Sequence, residues 1–286
     1  MAHMSHTVGR FGHPVGTSAP DTRPWIIWLA RAGYAAKGVV YCVVGLLALL
    51  AAFGNGGETT GSKGALHNLM NRPFGKVTVS LLAVGLAGYA LWCFVQAARD
   101  PEHDGSDGKG MAKRAWRFAK GLLHLSLVAA AIGMVTGRGS GGGGDSNIDK
   151  WTAKLMAMPW GVWLVGIVAA GVAIYGARQL WRAWKVDLDK MLALGDMPPE
   201  ARRPVVNVSR FGIGARGVVF VIMGFGLGLA AYHTDPSEAK GVGESLRWLT
   251  TQPYGPWLLA IVAAGLMAYG FYEFVRAGYR VIRPEK

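Results

Sequence analysis

The sequence predicts an all-α polytopic membrane protein: six transmembrane helices arranged as three tandem helical-hairpin repeats with pseudo-threefold character. Three observations predict it. The 286 residues are 51% apolar but only 16% charged, where a soluble domain carries about a quarter. The apolar residues gather in six blocks, at 32–53, 77–98, 117–136, 160–181, 211–232 and 256–275, each near the ~20 residues that cross about 30 Å of hydrocarbon as helix. The blocks also repeat in pairs. Backbone amides in lipid must be satisfied within their own segment, which selects helix, and the alternation of barrel strands is missing.

In chain order, residues 1–24 form a polar N-terminal tail without the apolar core of a signal peptide. Its opening "MAHM" is either native or a cloning remnant, and His3, His6 and His13 read as tail residues rather than a metal site. Repeat 1 covers 25–100, repeat 2 with its leading loop 101–185, and repeat 3 with its leading loop 186–286, all in one membrane domain. Cys42 and Cys93 fall inside spans, where they act as small apolar fillers rather than a disulfide or metal pair. Asp100, Glu102, His103, Asp104 and Asp107 cluster in a Gly-rich loop that reads as solvated rather than cation-binding. "GRGSGGGG" (137–144) reads as a flexible linker. "GFGLG" (224–228) lies inside a span with no Gly-Lys-Ser/Thr after it, so it is a packing run rather than a phosphate loop. The tryptophans lie near span ends or in flanking stretches, as in interfacial belts, with Trp92 the deepest exception.

Charge sets the expected orientation. Of the 30 Lys and Arg, 18 lie in the N-terminal tail, the second and fourth loops and the C-terminus, against 8 in the first, third and fifth loops. Basic residues accumulate on the cytoplasmic side, so both termini are expected there, in an inner membrane. The net charge of +13 then fits a face lying on anionic lipid. No soluble basic domain is large enough to suggest nucleic acid.

The repeat is visible residue by residue. "RAGYAAKGVVY" (31–41), "RAWRFAKGLLH" (114–124) and "RFGIGARGVVF" (210–220) share Arg, five residues, Lys or Arg, then Gly. In the second helix of each pair, Pro73, Gly75, Gly85, Tyr89 and Ala97 match Pro159, Gly161, Gly171, Tyr175 and Ala183, and again Pro253, Gly255, Gly265, Tyr269 and Ala277. A short amphipathic stretch precedes each Pro, with Leu69, Leu155 and Leu249 in register, as in an interfacial helix. Two spans per copy make the repeats parallel, related by an axis along the membrane normal. A closed six-helix bundle and an open row of hairpins both satisfy that symmetry.

This pattern resembles the bacterial integral membrane proteins classed as domain of unknown function 1206, in which the hairpin occurs in triplicate. The resemblance spans roughly 29–281 and rests on Lys37-Gly38, Lys120-Gly121 and Arg216-Gly217 with the Pro-x-Gly and Gly-x3-Tyr elements. Copy two departs most: Val128 stands where the others have Gly45 and Gly224, and His124 replaces an aromatic ring. The resemblance implies the architecture and no activity.

Lys37 lies about 9 Å deeper than Arg31 along a helix, and Tyr89 about 10 Å inside Gln96 on the returning one. They therefore share a depth, as do Lys120 with Tyr175 and Arg216 with Tyr269. Three readings compete for this layer of Lys37, Lys120, Arg216, Tyr89, Tyr175 and Tyr269. The cations anchor helix ends at lipid phosphates by snorkelling, or they bind anionic lipid headgroups or a small anion, or they line a channel or transport path. Only Glu273 is near the layer, within reach of Arg216 or Arg276; without a repeated carboxylate, internal pairing of the cations is not expected. Gly38 with Gly45, and Gly217 with Gly224, share helix faces suited to close contact.

No His-Glu-x-x-His, Gly-x-Ser-x-Gly or Cys-x-x-Cys motif occurs, so neither catalytic residues nor a metal or cofactor site is expected. His124 reads as packing against a neighbouring helix rather than as a haem ligand. Membrane lipids, anionic ones above all, are the expected partners.

Overall fold

A computed structural model describes residues 24–99, 107–138, 146–185, 188, 194 and 197–279. They form nine α-helices and no strand. Six are long: α1 (Pro24–Ala52), α3 (Gly75–Arg99), α4 (Gly108–Thr136), α6 (Gly161–Lys185), α7 (Pro199–His233) and α9 (Gly255–Tyr279). Each contains a segment long and apolar enough to cross a membrane. Three are short, α2 (Ser62–Met70), α5 (Ser146–Met156) and α8 (Val242–Thr250), one before the second span of each copy. The base is the end where α1 begins and α9 finishes; the short helices lie at the opposite end, the apex. The N-terminal tail with its histidines, Asp100 to Asp104, most of the 137–144 linker and the last seven residues lie outside the described residues. Asp107 caps α4, its side chain accepting from the Gly110 amide at 2.9 Å.

The Pro-x-Gly element makes the same turn three times. Phe74, Trp160 and Tyr254 each sit between Pro and Gly with φ of 61°, 64° and 60°, a left-handed conformation that bulky residues seldom adopt. A Cβ at Gly75 would run into the carbonyls of Leu69 and Met70, so the helix starts there only as glycine. The middle ring is left outside, 83%, 80% and 81% exposed. Each turn leaves an aromatic ring outward at the apex, and the amphipathic rings of Trp160 and Tyr254 suit a membrane boundary.

The long helices form a ring. α1 packs on α9, α3 on α4, and α6 on α7, each joining neighbouring copies. Within copies, α1 packs on α3 and α7 on α9, but α4 and α6 do not pack along their length. The bundle is thus neither a sealed ring nor a row of hairpins: it is a ring with one open seam, in copy two. α4 and α6 accordingly bury only 17% and 22% of their most apolar windows, against 39% to 61% in the other four spans. On the apex side of Lys37, Lys120 and Arg216, Val40, Val44, Leu86, Val128, Val219 and Leu266 fill the centre with apolar side chains.

Residue size accounts for the seam. In copies one and three, Gly33 and Gly212 lie where a Cβ would strike the backbone of Tyr89 and Tyr269, so the paired helices touch. Trp116 occupies that place in copy two. An indole cannot enter a contact shaped for a hydrogen atom. It instead lays its ring on Tyr175, 4.9 Å between centroids. The consequence shows one turn deeper: a Cβ at Gly85 would be 2.7 Å from that of Ala36, whereas one at Gly171 would have nothing within 4 Å.

Candidate functional site

The three interfaces between copies share a construction. Gly38 faces Phe274, Gly121 faces Phe94 and Gly217 faces Leu180, equivalent residues of the second helices, each too close to admit a larger side chain. Four residues after each cation a ring stacks on the neighbouring copy's tyrosine: Tyr41 on Tyr269 at 4.7 Å, His124 on Tyr89 at 4.5 Å, and Phe220 on Tyr175 at 5.1 Å. His124 therefore packs against a neighbouring helix, one ring nitrogen at 2.8 Å from the Lys120 carbonyl. The glycines bring the helices together, and the rings close the gap beside them.

Lys37 is 6% exposed and Glu273 is fully buried; its Nζ donates to Oε1 of Glu273 at 2.9 Å. The same carboxylate accepts from the Tyr269 hydroxyl at 2.5 Å and from Nη1 of Arg276 at 3.0 Å. Lys37 also lies 4.4 Å from the Tyr89 ring centroid, and Arg276 4.2 Å from that of Tyr34. Removing such charges from water costs several kcal/mol each, and the paired carboxylate and ring faces offset that. The sequence argument against internal pairing is thereby corrected: a single carboxylate serves one cation of the layer, Lys37, together with Arg276.

Arg216 does not bond Glu273. Its Nε donates to the Tyr41 hydroxyl and its Nη1 to that of Tyr175, both at 2.9 Å, and the guanidinium lies 4.7 Å from the Tyr269 ring centroid. Its neighbours are hydroxyls and π faces. Lys120 is half-buried and, among the described residues, its ammonium makes no hydrogen bond or ion pair. Cys93 and Tyr175 lie near it, with Arg276 and Arg117 as like charges.

The layer thus brings Lys37 onto Tyr89 and Arg216 onto Tyr269, two of the pairs expected from depth. Lys120 is not stacked on Tyr175, because α4 and α6 diverge and Arg216 takes that tyrosine. Sequence reasoning placed Glu273 within reach of Arg276 but missed its bonds from Lys37 and Tyr269, and missed Tyr41 and Tyr34. The signal for Tyr41 was the ring four residues after each cation; for Glu273 it was being the lone carboxylate at a register that holds Cys93 and Gln179 in the other copies. No cluster of three or more metal-ligating side chains occurs among the described residues. Cys42 and Cys93 are free thiols.

Among the described residues one carboxylate, Glu273, stands in the layer of Lys37, Lys120, Arg216 and Arg276 and pairs with Lys37 and Arg276, so the layer carries excess positive charge beside the seam. The family described as Domain of Unknown Function (DUF1206) matches the chain three times, at 32–100, 117–186 and 211–280. The chain is 31% identical over 266 residues to "Uncharacterized protein YxxB" of Bacillus subtilis (strain 168), covering 93% of this chain and 95% of that protein. No solved structure matches. Three matched copies, six apolar helices and one repeated glycine–ring interface converge: the chain belongs to the DUF1206 family of multi-pass membrane proteins.

Proposed function

We propose that this protein binds an anion, either the phosphate of an anionic lipid headgroup or a small free anion, at the layer of Lys37, Lys120, Arg216, Tyr89, Tyr175 and Tyr269. On this reading it is a non-enzymatic protein of the bacterial cytoplasmic membrane with both termini in the cytoplasm, as its basic loops favour. The observation that carries the reading is the charge imbalance: four cations in a low-dielectric layer with Glu273, paired to Lys37 and Arg276, as the lone carboxylate there among the described residues. Uncompensated charge inside a membrane costs several kcal/mol, and an anion removes that cost. Ring faces and hydroxyls around Arg216 hold it in place while leaving its charge unneutralised. The apolar filling between layer and apex favours a binding site over a conduction path.

The test is native mass spectrometry of detergent-purified protein equilibrated with phosphatidylglycerol or with inorganic phosphate. Lys120→Gln and Arg216→Gln are compared with the unmodified chain; Lys37 is left intact because it holds Glu273. Loss of the bound anion in both variants, each still folded, is the expected result. Retention equal to the unmodified protein overturns the reading and leaves the cations as helix-end anchors.

A further inference from the structure

We infer that the open seam between α4 and α6 is a lateral seat for one anionic phospholipid, its phosphate on Lys120 and its acyl chain between Ala119 and Leu123 on one wall and Val168 and Gly171 on the other. The inference rests on reading the basic layer as an anion site, and adds which ligand takes it and by which route.

Three independent features of the fold meet here. First, the seam is a surface that the other copies bury. Gly33 and Ala36 in copy one, and Gly212 and Ala215 in copy three, are covered by their own hairpin partner, and Val40 and Val219 are buried; Trp116 and Leu123 are exposed and Ala119 is half-exposed. On the facing helix, Leu82 and Gly85, like Val262 and Gly265, are buried, whereas Val168 and Gly171 are exposed. Second, the walls are apolar and run along membrane spans, so the medium that reaches them is lipid. Among the described side chains the seam has no protein cover, and an acyl chain fills an apolar cleft between two helices at no polar cost. Third, among the described residues, the cation of this copy is the one whose side chain has no partner. Lys37 has Glu273 and Arg216 has two hydroxyls, but the Lys120 ammonium makes no hydrogen bond or ion pair among the described residues. An ammonium beside an apolar cleft selects an amphiphile with an anionic head. A free anion satisfies the charge and leaves the cleft empty, while a second helix of this chain fills the cleft and leaves the charge.

Trp116 both props the hairpin open and sets the geometry. Its ring against Tyr175 closes the base of the seam beside Lys120, so a lipid enters sideways from the bilayer rather than from the aqueous end.

Gly171→Trp tests the seat without touching a charged group. A Cβ there meets nothing within 4 Å, so the indole occupies the seam with the fold undisturbed. Leu123→Trp occludes it from the opposite wall, and thermal unfolding of both variants checks folding. Bound phosphatidylglycerol, bound inorganic phosphate and oligomeric state are read by native mass spectrometry. Acyl-chain diazirine phosphatidylglycerol maps contacts.

The expected result is loss of phosphatidylglycerol in either occluding variant with phosphate binding unchanged, photolabel on α4 and α6 in the unmodified protein, and about tenfold weaker lipid binding in Lys120→Gln. Occluded variants that keep their lipid overturn the lateral seat. If Lys120→Gln then loses it, the anion site survives elsewhere in the layer; if Lys120→Gln and Arg216→Gln also keep it, the anion reading falls too. A dimer that dissociates in the occluding variants makes the seam an interface between copies of this chain and overturns the lipid seat.

Discussion

Replacing Glu273 by Gln removes one charge and leaves shape and the Tyr269 hydrogen bond nearly intact. It strips the counter-charge from Lys37, whose side chain is 7% exposed, and from Arg276, whose side chain is 16% exposed. Breaking a buried pair from one side costs about 3–5 kcal/mol, because the remaining charge stays desolvated. In a membrane domain of this size each kcal/mol moves the midpoint by about 2–4 °C, so the variant melts roughly 6–20 °C lower. Lys37→Met/Glu273→Gln removes the stranded ammonium and regains much of that loss, since Arg276 keeps the Tyr34 ring and some solvent. The assay is tryptophan fluorescence or fluorescence-detected gel filtration against temperature, in one detergent for all variants. A single variant within about 2 °C of the unmodified protein, or a double variant that melts at the sum of the two single losses, refutes the account of a mutually compensating pair.

Four further outcomes follow from the same geometry. Gly85→Leu destabilises the fold by about 1–3 kcal/mol through overpacking on Ala36, while Gly171→Leu changes stability little, a contrast that thermal unfolding reads directly. Equal losses mean that α4 and α6 are packed after all. Arg114→Ala frees the carbonyls of Ala97 and Ala98, which it caps at 2.7 and 3.0 Å, so the last turn of α3 exchanges its amides faster while the middle of the helix does not. Phe74→Gly relieves a left-handed backbone and raises thermal stability in detergent by about 1 kcal/mol; a loss of stability assigns the exposed ring a holding role in the turn. The Ser237 hydroxyl, and then the Ser237 amide that donates to Asp235 at 2.9 Å, hold the Asp235 carboxyl below the ordinary carboxylate range. The turn at 236–238 is therefore fully supported above that range and loosens as pH falls through the depressed value. Solvent exposure keeps the effect local, visible as lost protection of the Ser237 amide and not as a shift in global melting.

The amino-acid sequence by itself determined the six spans, the three copies and the common depth of the cations and tyrosines. Those properties depend on apolar length and helical rise, which are local. It also carried the glycine registers, because Gly38, Gly121 and Gly217 recur at fixed distances from each cation whatever their neighbours are. Tertiary structure decided which charges meet. Lys37 and Glu273 are 236 residues apart and join only because α1 packs on α9, and Arg216 finds Tyr41 only because three copies curl until the first adjoins the last. The seam lay between these two levels. Trp116 in place of Gly33 and Gly212 was present in the sequence, but a large residue in a small residue's register has two outcomes, a shifted neighbour or a parted helix pair. Packing across the whole ring settled on parting, because the α3–α4 and α6–α7 interfaces hold their helices from the other side with glycine contacts that leave no room to slide.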